Sequence, residues 1–195
     1  MPGLTRAELL AAATAFCDSF AQKKPLEEIL SHFASACAST CASASHADAV
    51  VVVHEHGLPQ LAPFLGRDFC GLDGARTYFE IVASCLSYED MRFVEFVADT
   101  ASSDQGGKQG DVSGVGVERG EGEGEGEGKK GGGGGGGGGG KVVVRGMARF
   151  TWTETGHSWD ETFVYVLRFD ARAKLTRYEI WADSGAAYLA RRGEL

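Results

Sequence analysis

The stretch Ser158-Trp159-Asp160-Glu161-Thr162-Phe163-Val164-Tyr165-Val166-Leu167-Arg168-Phe169 alternates without a break. Trp159, Glu161, Phe163, Tyr165, Leu167 and Phe169 fall on one face, and Asp160, Thr162, Val164, Val166 and Arg168 on the other. That is the two-residue period of a β-strand. Two more strand signals flank it, Val142–Trp152 before and Lys174–Ala182 after. The joints, Thr153 to His157 and Asp170 to Ala173, are short, so the three strands should pair antiparallel as a meander.

Towards the N-terminus the period changes from two to that of a helix. Thr5-Arg6-Ala7-Glu8 is a capping box, and behind it Leu9, Ala13, Phe16, Cys17 and Phe20 form one apolar stripe. Pro25 can end that helix and start a shorter one carrying Leu26, Ile29, Leu30 and Phe33. Ala34 to Ala47 reads as a loop. Val50–Val53 reads as a short strand, and His54-Glu55-His56-Gly57 as the turn after it. Asp73 is placed to cap a third helix whose inner face holds Ala75, Phe79, Val82 and Leu86, and Met91–Val97 reads as a strand. At the C-terminus, Asp183 is placed to cap a last helix, Ser184–Arg191, ending at Gly193.

Of 29 glycines, 20 lie between Ala101 and Gly140, so the excess is confined to one insert. With almost no large apolar side chain, residues 101–140 cannot offset an ordering cost of about 1–2 kcal/mol per residue. A disordered low-complexity insert between two strands is expected there, within a single domain spanning 1–195. The tract has neither a phosphate-cradling loop pattern nor a strand–glycine–helix context, and no cofactor is expected.

A net charge of −8 and scattered basic residues argue against nucleic acid as a partner. No segment approaches the roughly 18 apolar residues of a membrane span, and no signal-peptide pattern opens the chain, so a cytoplasmic protein away from the membrane is expected. The five cysteines read as reduced thiols rather than a disulfide framework. Cys37 and Cys41, with His32 and His46 nearby, make only a weak zinc pattern.

Phe69-Cys70-Gly71-Leu72-Asp73-Gly74-Ala75 and Leu175-Thr176-Arg177-Tyr178-Glu179-Ile180-Trp181-Ala182-Asp183 resemble phrases of the SnoaL-like branch of the nuclear-transport-factor-2-like superfamily. Trp159 to Asp170 resembles the strand before the second of these. The resemblance implies an α+β fold: a curved, mostly antiparallel sheet wrapped around N-terminal helices, a cone-shaped half-barrel with a pocket inside. It also implies a homodimer formed across the sheet, and activities from cyclisation and isomerisation to dehydration and plain binding.

A mostly apolar pocket with a few polar groups suits a small apolar or aromatic molecule. Trp159, Phe163 and Tyr165 are expected to line it, with Tyr78 at its mouth. On the last strand Glu179, Trp181 and Asp183 are also candidates, although both faces of that strand mix apolar and polar residues. A carboxylate among aromatics has its charged form disfavoured, which makes Glu161 a candidate proton carrier; a structural ion pair with Arg149 or Arg177 is the alternative. His56 is the other candidate catalyst. His54 shares its strand parity as a pocket residue, and no third ligand is visible to make the pair a metal site. An acid–base enzyme and a non-catalytic dimerisation or interaction module both remain open.

Overall fold

The computed structural model describes residues 3–35, 51–100 and 139–195. The glycine-rich insert, except for its last two residues, and most of the Ala34–Ala47 loop, with Cys37, Cys41 and His46, lie outside the described residues.

Helix α1 (Arg6–Ala21) starts at the expected capping box, with Thr5 accepting from the Glu8 N–H and the Glu8 carboxylate accepting from the Thr5 N–H. Its stripe of Leu9, Ala13, Phe16, Cys17 and Phe20 is buried. Helix α2 (Leu26–Leu30) follows Pro25. Strand β1 (Val52–Glu55) runs two residues further than expected, so Glu55 is strand, not turn. A short strand that periodicity did not reveal, β2 (Asp68–Cys70), pairs antiparallel with it.

Helix α3 (Gly71–Cys85) is entered through Cys70 and not capped by Asp73, which lies in its first turn. The entry needs Gly71, at φ +76°, to turn the chain while its N–H bonds the Val51 carbonyl at 2.7 Å. Leu86, expected on the helix, opens β3 (Leu86–Thr100) instead. This strand is longer than expected because it pairs with β4 (Gly140–Trp152) along most of its length, across irregularities at Glu89–Arg92 and Phe93–Glu95. Strands β5 (Ser158–Phe169) and β6 (Leu175–Trp181) complete the antiparallel meander. Asp183 caps helix α4 (Ser184–Arg192), accepting from the Gly185 and Ala186 N–H groups at 3.0 Å each, and Gly193 ends it in the left-handed conformation.

The six strands form one curved mixed sheet in the order β2-β1-β6-β5-β4-β3, with β1 parallel to β6. That parallel pairing decides which face of β6 is inner. Tyr178 pairs with Val53 and Leu167, both fully buried, so Tyr178 and Ile180 face the helices. Phe16 of α1 meets the Tyr178 ring edge-on at 5.2 Å, and Phe79 of α3 lies 6.2 Å from it. Among the described residues no helix is long and apolar enough to cross a membrane. The described cysteines Cys17, Cys70 and Cys85 are free; Cys17 is buried, whereas Cys70 is exposed at the turn into α3.

Candidate active site

The concave face of the sheet, α1, α3 and the start of α4 surround a cavity in which the centre of a water-sized sphere can move through about 90 Å³. Its walls are aromatic and aliphatic, and two buried carboxyl groups face into it, Glu55 from β1 and Glu161 from β5.

Glu161 is 6% exposed. Its Oε2 accepts the indole N–H of Trp159 at 2.7 Å, and its Oε1 accepts the Asp183 backbone N–H at 3.0 Å. Burial pushes its pKa above the ordinary carboxylate value, while those two donors pull the other way. It makes no ion pair with either expected arginine: Arg149 bonds Asp160 and Arg177 bonds Glu179, both at 3.2 Å.

Glu55 is reached from β1 by continuing the buried alternation Val51, Val53, Glu55. The Tyr78 hydroxyl donates to its Oε2 at 2.5 Å. Burial pushes the Glu55 carboxyl up to about 7; the Tyr78 bond opposes that shift and the charge of Glu161 adds to it. Burial likewise holds the phenols of Tyr78, Tyr165 and Tyr178 well above the usual phenol range, so they face the cavity as neutral groups. One polar wall thus holds a carboxyl that exchanges its proton near neutrality beside phenols that do not ionise.

Of the residues expected from sequence, Tyr78, Trp159, Glu161, Phe163, Tyr165 and Asp183 come together at this cavity. His54, His56, Glu179 and Trp181 do not. They gather on the opposite, outer face of the sheet, because His54 pairs with Glu179 across β1 and β6 and the inner parity belongs to Glu55 and Ile180. There His54 Nδ1 bonds Asp68 at 2.6 Å, and the His56 ring stacks on Trp181 at 3.9 Å, with Trp181 41% exposed. His56 therefore has no path to the cavity as a proton carrier, and burial followed by the neighbouring His54 lowers its pKa. Among the described residues no three His, Cys, Asp or Glu side chains come together to hold a metal ion.

Glu55 is the residue the sequence reading passed over. Its signal was the parity it shares with Val51 and Val53, hidden by the histidines on either side.

No family model matches the sequence, and no curated protein does. Solved structures do match. An NTF2-like protein from Burkholderia xenovorans LB400 superposes with a TM-score of 0.57 at 12% identity, covering 96% of this chain and 98% of that one. The chain has the NTF2-like fold. A candidate isomerase from Rhodopseudomonas palustris shares this NTF2-like arrangement at TM-score 0.55 and 10% identity, over 97% of this chain and 99% of its own. A Mycobacterium tuberculosis protein solved in complex with estradiol-17beta-hemisuccinate is similar at TM-score 0.50 and 12% identity, over 89% of this chain and 92% of that one. At such identities the likeness establishes the NTF2-like fold and leaves the chemistry to the side chains.

Proposed function

We propose that the cavity binds a small, largely apolar or aromatic molecule and moves a proton on it, an acid–base reaction of the isomerase kind. The observation that carries this reading is the pair of buried carboxyls, Glu55 and Glu161, in one aromatic cavity but in different hydrogen-bond surroundings. Groups whose surroundings separate their proton affinities divide naturally into acid and base. Glu161, with an N–H on each oxygen, is the base. Glu55, protonated below about pH 7 and backed by Tyr78, is the acid. A proton leaves one carbon of the ligand for Glu161 and another is supplied by Glu55; Glu161 then gives its proton to water and Glu55 takes one back, so ligand and protein both balance. A ligand-bearing protein and a candidate isomerase of the same fold support the reading.

Exchange of the α-protons of cyclohexanone into deuterated buffer, followed by NMR, tests it. The protein should accelerate exchange, and Glu161→Gln and Glu55→Gln should each remove most of the acceleration, by about 10²–10⁴-fold for a lost general acid or base. Exchange at the buffer rate, or acceleration unchanged in both variants, defeats the catalytic reading.

A second reading, self-association across the sheet, is favoured by the apolar residues on its outer face. Val97 and Trp181 are exposed there, in line with Val143, Val164 and Val166. Sedimentation equilibrium should show a dimer that Val166→Lys dissociates; a monomer at all concentrations removes this reading.

A further inference from the structure

The cavity is electrically one-sided. Among the described residues that line it, the ionisable groups are three carboxyls and the tyrosines, with no Lys, Arg or His. Asp183 is committed to capping α4. Glu161 is bonded by N–H groups, the Trp159 indole and the Asp183 backbone among them, none of which carries a charge. Glu55, 8% exposed, accepts from the neutral Tyr78 hydroxyl, and no cationic side chain among the described residues pairs with it. Arg149 on β4 and Arg177 on β6 are spent on Asp160 and Glu179.

Beside Glu161 the wall is a run of aromatic rings. Phe150 lies 5.8 Å from Trp159 and 6.1 Å from Phe163, and Phe163 lies 4.8 Å from Tyr165. Ring faces carry negative quadrupole density and attract a cation, most strongly where water is excluded. A buried carboxylate without a counter-ion seeks the same partner. An anionic ligand would meet two carboxyls with no cation to balance it, and a neutral one would leave their charge unbalanced once they ionise.

We propose that the molecule selected by this cavity carries a positively charged nitrogen, an ammonium or quaternary ammonium, seated between the aromatic wall and the carboxyls of Glu161 and Glu55. The inference rests on the cavity being a ligand site, as proposed above, and names the class of ligand. The cation supplies the charge that the protein withholds.

Three probes of one shape test it: choline, its neutral carbon isostere 3,3-dimethylbutan-1-ol, and the anion 3,3-dimethylbutanoate, each titrated calorimetrically into the full chain at pH 8. Choline should bind at least about tenfold more tightly than the alcohol, and the butanoate should not bind. Lowering the pH to 5.5 should weaken choline and leave the alcohol unchanged, because acid neutralises Glu55 and not the permanent cation. Glu161→Gln, checked for folding by circular dichroism, should erase the preference for choline and keep the affinity for the alcohol. If that variant does not fold, the pH series on the unaltered chain decides. An alcohol that binds as well as choline overturns the inference and leaves the cavity reading standing. If none of the three binds, the inference and the cavity reading fall together.

Discussion

Ionising Glu55 places a charge behind an aromatic wall with only the Tyr78 hydroxyl to solvate it. In the unfolded chain the same carboxyl has its ordinary value of 4.5, against about 7 in the fold. The folded state therefore binds this proton more tightly. Its contribution to stability is fully present below pH 4.5 and is lost as the pH rises through about 7. Glu55→Gln, a neutral isostere, should cancel that loss. Urea unfolding from pH 4.5 to 8 should show the unaltered chain losing up to about 3 kcal/mol relative to the variant. Parallel profiles would mean that Glu55 is not titrating in the fold. Tyr78→Phe removes the one donor and should push the Glu55 carboxyl higher still. At pH 8 it should cost about 1–3 kcal/mol, the usual penalty for a buried acceptor left alone, read by the same unfolding series.

At the scale of the elements, Gly146 on β4 is where the cavity wall is most sensitive. It pairs with Phe163, and a Cβ added there would meet that ring. Gly146→Ala must swing the ring towards the cavity, so it should cost about 1–3 kcal/mol in unfolding and weaken probe binding as well. The capping of α4 rests on the Asp183 side chain. Asp183→Ala should cost about 1 kcal/mol, while Asp183→Asn, still able to accept from Gly185 and Ala186, should cost only a few tenths; both are read from melts. How legible each element was follows from where its partners lie. Strand β5 was readable from Trp159 to Phe169 because its alternation is unbroken and one face is aromatic. Strand β6 was readable as a strand but its inner face was not, because Tyr178 and Ile180 compete with Trp181 for it. The choice is made by β1, a partner far away in the chain. The same remote pairing extends β1 to Glu55, which local pattern alone read as a turn. Half of the candidate site was thus visible in one strand, and its buried acid was not.

For the whole molecule, the segment between β3 and β4 leaves and re-enters the sheet at neighbouring positions, since Thr100 pairs with Gly140. Replacing residues 101–138 with a four-residue turn shortens the connection by about three doublings. At about 0.6 kcal/mol per doubling, stability should rise by about 2 kcal/mol, with probe binding unchanged, as unfolding and titration would show. A shortened chain that fails to fold or to bind would give the segment a structural role. The parallel pairing of β1 with β6 has an effect of another kind, on the order of events during synthesis. Val52 on an emerging nascent chain meets its partner only when Arg177 has left the ribosome. Until then Phe16 lacks the Tyr178 ring it packs against, and Glu55 has no neighbouring strand on that side. The cavity therefore closes only after β6 has been made, so a small molecule that fits it can stabilise the folded chain but has no complete site while β6 is still missing.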